Sequence, residues 1–308
     1  MTLYDVAVNI FNLSRLFSTS RNKIVDGLAS KSRILIGRAS QHPPISGRPS
    51  ITLSHAQSVG LVREDNEDSL FALTGINAGD SEQNNFGLFV VADGMGGHQK
   101  GERASTIAAQ SVARVVGSYI FSMILEEIQA SYDNKTLMDL MRSALIAAND
   151  DVTNCVPGGG TTLTALLLMG PNAIVGHVGD SRAYMVDSGK LLQLTKDHSL
   201  AQKLHDLGEI ASTGIENHPR RNILLRAVGQ GDILEVDVCE QYVEPGSIFL
   251  LCTDGLWGCM EEEDILMIMS DSSDLQEACD NLTKEANKAG GLDNITSLIV
   301  KYDYGNSK

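Results

Sequence analysis

Four aspartates stand where apolar runs meet turns, and carboxylates in such places can gather cations. Asp93 follows the run Leu88–Ala92 and precedes Gly94-Met95-Gly96-Gly97. A buried strand is therefore expected to end in a carboxylate, then in a glycine turn whose carbonyls can approach an ion. Asp254 follows Ile248–Thr253 and precedes Gly255; Asp180 follows Ala173–Gly179; Asp293 precedes Ile295–Val300. An unpaired buried carboxylate costs several kcal/mol, so a chain that places this many at strand ends is expected to group them around cations. The set holds oxygen donors and no His or Cys, which favours Mg²⁺ or Mn²⁺ over Zn²⁺. The chemistry such a site performs is metal-assisted phosphoryl transfer or hydrolysis.

The elements that must position these carboxylates can be read from periodicity. Strands are expected near 51–60, 69–74 and 86–92, and then helices near 102–130 and 136–154. In the first helix Ile107, Ala108, Ser111, Val112, Val115, Val116, Tyr119, Ile120, Met123 and Ile124 form one broad apolar face. Thr162–Met169, Ala173–Val178, Arg182–Val186 and Lys190–Leu194 read as short β runs joined by tight turns, a meander. Residues 197–231 lack clean periodicity, which for so long a connection implies function or mobility. Strands near 235–243 and 247–253, helices near 261–270 and 273–289, and a strand at 294–302 complete the pattern. Strand clusters and paired helices without βαβ alternation imply an α+β fold with a largely antiparallel sheet system.

The chain has 308 residues and 43% hydrophobic content, enough for a buried core. No apolar run reaches the roughly 18 residues of a membrane span, so no stable membrane insertion is expected. Cys155, Cys239, Cys252, Cys259 and Cys279 are scattered without a CxxC pair. They read as small core residues in a reducing compartment, which sets the expected location as cytoplasmic. The net charge of −15 divides unevenly: residues 1–50 carry seven basic and two acidic side chains, and the remainder 17 basic and 37 acidic. A body that acidic repels nucleic acid, which is excluded as a partner. Residues 1–50 are basic and Ser-rich, with Tyr4–Phe17 as a short amphipathic helix and Gln41–Ser50 as a linker. Three readings of this extension stay open: a flexible tail, a transit-peptide-like segment and a docking segment. The compact domain is expected over 51–303.

Six motifs occur in order: Arg63-Glu64-Asp65-Asn66-Glu67-Asp68-Ser69, Val91-Ala92-Asp93-Gly94-Met95-Gly96-Gly97-His98, Gly160-Thr161-Thr162-Leu163, Gly176-His177-Val178-Gly179-Asp180-Ser181-Arg182, Thr253-Asp254-Gly255-Leu256-Trp257 and Asp293-Asn294-Ile295-Thr296. Together they resemble the metal-dependent PPM (type-2C) family of Ser/Thr protein phosphatases in its bacterial form, from about residue 53 to 302. An isolated Asp-Gly is usually only a turn; the ordered set carries the resemblance. It implies an α/β/β/α four-layer sandwich, two antiparallel sheets flanked by helix pairs, with a two-metal centre at one end. Carried over by position, Asp93 would bridge two Mn²⁺ or Mg²⁺ ions and the Gly94 carbonyl would bind one. Glu67 would hold the first ion, Asp254 and Asp293 the second, and Asp180 with Asp254 a third. Asp68 would orient metal-bound water, and Arg63 would grip phosphate oxygens with its planar guanidinium. The implied reaction is hydrolysis of phosphoserine and phosphothreonine by a metal-bridged hydroxide. The implied partners are phosphorylated proteins, among them a bacterial Ser/Thr kinase that the enzyme opposes, and the protein is expected to be a monomer. A phosphatase of narrow range and a catalytically weak regulatory binding module are the alternatives, the second disfavoured by the intact ligand positions.

Several residues carry a competing, blander reading. Arg63 could pair at the surface with Glu64 or Asp65. Met95 stands where eukaryotic relatives carry a histidine general acid, so a metal-bound water is preferred as the acid over His98, which resembles the residue that opens the family's helix. His177 is expected as packed core, His198 as a cap on the following helix region, and Thr161 and Thr162 as structural. Gly208–Gly229 resembles the bacterial flap beside the active site, where Arg220 and Arg221 either attract phosphorylated segments or are merely solvated.

Overall fold

The structure, a computed structural model, describes residues 48–76, 85–97, 99–125, 133–211, 214–215, 218–231 and 233–305. Eleven strands and six helices are assigned among them. Strands β1 (Arg48–Ser58), β11 (Ile295–Gly305), β10 (Ile248–Cys252), β7 (Arg182–Asp187) and β8 (Lys190–Gln193) lie in that order in one sheet. The second sheet orders β2 (Asp68–Ile76), β3 (Asn85–Met95), β5 (Leu163–Met169), β6 (Asn172–Val178) and β9 (Asp237–Tyr242), with the two-residue β4 (Gly160–Thr161) on the end of β3. Every pairing is antiparallel. The helices are α1 (Gln99–Leu125), α2 (Asn134–Cys155), α3 (Leu200–Asp206), α4 (Asp254–Trp257), α5 (Glu262–Asp271) and α6 (Leu275–Lys288).

Strand alternation builds the layers. On β3, Phe89 and Val91 face the other sheet, while Leu88, Val90 and Ala92 face α1 and α2. On β11, Leu298, Val300 and Tyr302 enter the space between the sheets, while Ile295 and Ile299 meet α5 and α6. Both faces of each sheet are thus covered, and helix, sheet, sheet and helix stack as four layers. Helix α1 buries Ala104, Ala108, Val112, Val116 and Ile120 at four-residue spacing. Each fully buried Val or Ile contributes about 1.5–3 kcal/mol relative to exposure. Helix α2 answers with Leu137, Met141, Ala144, Leu145, Ala148 and Val152, and starts at Asp133, whose side chain accepts from the Thr136 N–H at 2.8 Å.

Three expectations change. The four β runs after Thr162 are two hairpins in different sheets: β5–β6 belongs to one, β7–β8 to the other. The chain crosses between them at Gly179-Asp180-Ser181. Gly179 has φ +111°, and a Cβ there would lie 2.6 Å from the Thr162 side chain, so only glycine makes this crossing. The stretch 197–231 contains α3 and two isolated bridges, Ser199–Leu224 and Thr161–Val228, so it is pinned at several points. Strand β1 begins at Arg48, and Arg48–Ser50, read from sequence as linker, pair with Asp303–Gly305. Tyr4–Phe17 and the rest of the extension up to residue 47 lie outside the described residues.

Candidate active site

One cavity of about 410 Å³ is lined by Glu67, Asp93, Asp180, Asp254 and Asp293, with Arg63, Gly94 and Thr162 beside them. Each acid arrives from a different element. Asp93 lies near the end of β3, which continues through Gly94 and Met95 where a turn was expected; the positive φ values fall on Gly96 and Gly97. Asp254 is the first residue of α4, not part of a glycine turn. Asp180 is the crossover residue, and Asp293 precedes β11.

The backbone at Asp93 is fixed by threonines. The Asp93 N–H donates to Thr162 Oγ1 at 2.8 Å, and the Asp93 carbonyl accepts from the Thr162 N–H and from Thr161 Oγ1, both at 2.8 Å. Thr161 and Thr162 are therefore structural in a specific sense: they hold the carboxylate-bearing strand end. Close backbone approach does the rest. A Cβ on Gly94 would lie 2.2 Å from the Gly101 carbonyl oxygen, so only glycine lets the start of α1 pack against β3. The Gly94 N–H donates to the Glu67 carbonyl at 3.1 Å, and Ser105 Oγ donates to the same oxygen at 2.6 Å. Asn294 ties the other side: its Oδ1 accepts from the Glu67 N–H at 2.8 Å, and its Nδ2 donates to the Val59 and Asp65 carbonyls at 3.0 and 2.9 Å.

Asp68 sits behind this lining, opposite Asp93 in the β2–β3 register. Its Oδ2 accepts from Thr296 Oγ1 at 2.6 Å and Thr253 Oγ1 at 2.9 Å, while its buried Oδ1 has no protein partner. Burial raises the Asp68 carboxyl to about 7 against the opposing effect of the two hydroxyls, and the Asp254 and Asp293 charges add to the rise. Asp254 is lifted to about 6, first by burial and then by Asp293. Asp93 and Asp180 are pushed well up by burial and by the other carboxylates. The buried Asp254 Oδ1 also lacks a protein partner.

These observations fit hard cations. The donors are oxygens, two buried carboxylate oxygens have no partner, and the crowded negative charge is the kind a dication offsets. Among the described residues no three His, Cys, Asp or Glu side chains already converge on one coordination point. The acids line a common cavity.

Arg63 is half-exposed, and its Nη2 contacts Asp293 Oδ2 at 2.7 Å. The surface partners Glu64 and Asp65 considered from sequence are replaced by a cavity acid. Asn222, Leu224 and Gln230 complete the cavity wall; they come from the region read as a flap. Of the flap arginines, Arg221 donates to the Gly258 carbonyl at 3.2 Å, and Arg220 is exposed. His177 is buried against Thr164 Oγ1 at 2.9 Å, as expected of core. His198 is not the cap of α3: Ser199 is, accepting from the Gln202 N–H at 3.2 Å. The five cysteines are free, but Cys155 is exposed and so is not core. His98 lies outside the described residues.

A sandwich carrying a ring of acids at one end defines a metal-dependent phosphohydrolase architecture, and the comparisons agree. Residues 65–294 match the protein phosphatase 2C family. The serine/threonine phosphatase Stp of Listeria monocytogenes is 36% identical over 245 residues, which cover 79% of this chain and 93% of that protein. The crystal structure of the Mycobacterium tuberculosis serine/threonine phosphatase PstP/Ppp matches with a TM-score of 0.69 and 30% identity, over 82% of this chain and 99% of that one. The catalytic domain of PstP in complex with two manganese ions matches with a TM-score of 0.66 and 29% identity, over 83% and 99%. The chain belongs to the protein phosphatase 2C family and is a protein serine/threonine phosphatase with that family's fold.

Proposed function

We propose that the cavity hydrolyses phosphoserine and phosphothreonine with two Mn²⁺ or Mg²⁺ ions, and a third beside them, held by this chain's own acids. The observation that carries the reading is the set of five acidic side chains from five separate segments lining one cavity. Asp93 and the Gly94 carbonyl, with Glu67, fit one ion, Asp93, Asp254 and Asp293 a second, and Asp180 with Asp254 a third. When bound, such ions supply Lewis acidity and lower the pKa of water placed between them. The two manganese ions of the PstP catalytic domain support the pair.

The chain's own groups supply the rest. Arg63 stands at the cavity mouth with its guanidinium half-exposed, where a phosphoryl group would draw it from Asp293 and accept two parallel hydrogen bonds. Asp68 keeps Oδ1 buried and without a protein partner, which leaves that oxygen available to orient a water. The buried Arg182–Asp197 pair, at 2.9 Å, lies under Trp257, whose Nε1 donates to the Asp180 carbonyl at 3.0 Å. This stack sets the height of the Asp180 turn.

Substrates are taken to be phosphorylated proteins, a Ser/Thr kinase among them, with the protein acting as a monomer in the cytoplasm. No described helix is long and apolar enough to cross a membrane, and the free cysteines suit a reducing interior. The test is hydrolysis of p-nitrophenyl phosphate and of a phosphothreonine peptide with added Mn²⁺ against EDTA. Activity should need the metal; full turnover in EDTA would remove the reading.

A further inference from the structure

We propose that His198 is a positioning residue for the phosphatase reaction, the buried link that joins the Gly179–Asp180 turn on the cavity floor to the 222–226 segment of its wall. The inference rests on the reading of Asp180 as a cation ligand for its effect on turnover, but its structural content stands on hydrogen bonds alone.

His198 grips Gly179 from both sides. The His198 N–H donates to the Gly179 carbonyl at 2.7 Å, and His198 Nδ1 accepts from the Gly179 N–H at 3.1 Å. The residue held this way is the positive-φ crossover directly before Asp180. On the other side, the His198 carbonyl accepts from the Leu225 N–H at 2.7 Å, and the next residue bridges Leu224. Leu224 and Asn222 line the cavity. The ring nitrogen Nε2 lies 3.2 Å from Asp237 Oδ2 and 3.2 Å from Arg226 Nη1. Arg226 in turn pairs with Asp237 and Glu235.

The acceptor role at Nδ1 fixes the tautomer. With Nδ1 accepting from Gly179, the proton of the neutral ring sits on Nε2, where it donates to Asp237. Burial lowers the His198 pKa, in keeping with a neutral ring. His177 packs 4.8 Å away, ring centroid to centroid. One imidazole thus joins the two segments: Nδ1 accepts from Gly179, and Nε2 donates to Asp237, which also pairs with Arg226 of the 222–226 segment.

The two nitrogens can be separated by substitution. The amide of Asn reaches the Nδ1 position and that of Gln the Nε2 position. His198→Asn should therefore keep the Gly179 contact and lose Asp237, and His198→Gln the reverse. In hydrogen–deuterium exchange on the full chain, His198→Ala and His198→Gln should speed exchange of the peptide covering 178–181 by about ten-fold, the effect of losing one buried hydrogen bond. His198→Asn should leave that peptide near wild type. Mn²⁺ titration by calorimetry should follow the same order, with the weakest site lost in Ala and Gln but kept in Asn. On p-nitrophenyl phosphate, kcat should fall in Ala and Gln more than in Asn, while KM for a phosphopeptide should rise in Asn through the loosened wall.

If exchange at 178–181 is unchanged in His198→Ala, or if Asn and Gln behave alike and track the thermal midpoint, His198 is only packing and the proposal fails. Asp180→Ala run in parallel tests the ligand reading separately. If it leaves Mn²⁺ stoichiometry unchanged, Asp180 is not a ligand, whereas the exchange pattern at Gly179 still decides the role of His198.

Discussion

At the scale of single residues, the site depends on groups whose charge is uncomfortable without a counter-ion. Asp93 lies across the ladder from Asp68, and like charges placed directly opposite destabilise a strand pair. The arrangement persists because hydroxyls, glycines and the proposed cations offset it. Asp93→Ala should lower kcat by more than about 10³-fold with the fold retained, as loss of a group acting in a unit does; circular dichroism and Mn²⁺ calorimetry check both halves. Arg63→Ala should raise KM for a phosphopeptide with little loss of Mn²⁺ binding, since the arginine contacts Asp293 from a half-exposed position. Unchanged kcat and KM would leave it a surface pair. Thr296→Val removes a 2.6 Å donor from a buried carboxylate, and should cost about 1–3 kcal/mol in denaturant unfolding. Asp93, Asp180, Asp254 and Asp293 stood out in the sequence as carboxylates at the ends of apolar runs, whereas Glu67 and Asp68 were read only from the family resemblance. Thr161 and Thr162 were read as structural, but Thr253 and Thr296 were not read as supports, because a Thr in or beside a strand reads first as an ordinary β residue.

At the scale of elements, both sheets are buried on both faces, and that explains what periodicity did and did not reveal. Strand positions were readable within a few residues, as were α1, α2, α5 and α6. Which sheet each strand joins was not, since a strand buried on both sides reads as a continuous apolar run with no solvent face. Leu163–Met169 and Arg182–Asp187 both read only as short β runs, and they lie in different sheets. The short α4 escaped, and α3 was seen only as an unbounded helix region after His198, because one or two helical turns leave no period to detect. The element joint under greatest constraint is that of β3 with α1. Gly94→Ala would set a Cβ 2.2 Å from the Gly101 carbonyl, so the helix start must move away from Glu67. The expected outcome is an enzyme that stays folded by circular dichroism but loses Mn²⁺-dependent turnover. A fully active Gly94→Ala enzyme would mean that α1 has more freedom here than the contact allows.

At the scale of the whole molecule, protons and the proposed cations would compete for the same acids. Burial and mutual repulsion raise Asp254 to about 6 and push Asp93 and Asp180 upward. A carboxyl whose folded pKa lies above its unfolded value contributes stability that is fully present below about pH 4. That contribution is lost as pH rises through the folded value. The metal-free protein should therefore lose this part of its stability between about pH 4 and 6, at least for Asp254. Over the same rise the acids are freed for cations, so the increase in Tm on adding Mn²⁺ should grow from pH 5 to pH 8. A Tm increment independent of pH would argue that the ions bind elsewhere.

The extent of the domain is also a question for the whole molecule, and the edge strand gives a sharper answer than composition did. A shift in charge and a cluster of prolines placed the boundary at Ile51, but the β1–β11 ladder starts three residues earlier, with Arg48 opposite Gly305 and Ser50 opposite Asp303. Composition missed this because Pro49 and Ser50 are poor strand residues by propensity, and Pro is tolerated at the start of an edge strand where no ladder N–H is needed. Every acid of the cavity lies beyond residue 63. A chain beginning at residue 47 should therefore keep the whole ladder and hydrolyse p-nitrophenyl phosphate at close to the full-length rate. A chain beginning at Ile51 exposes the unpaired end of β11 and should retain activity with a lower Tm. Thermal melts of the two truncations beside the full chain decide the boundary: equal midpoints would restore it to Ile51, and an inactive chain from residue 47 would show that the basic extension belongs to the catalytic unit.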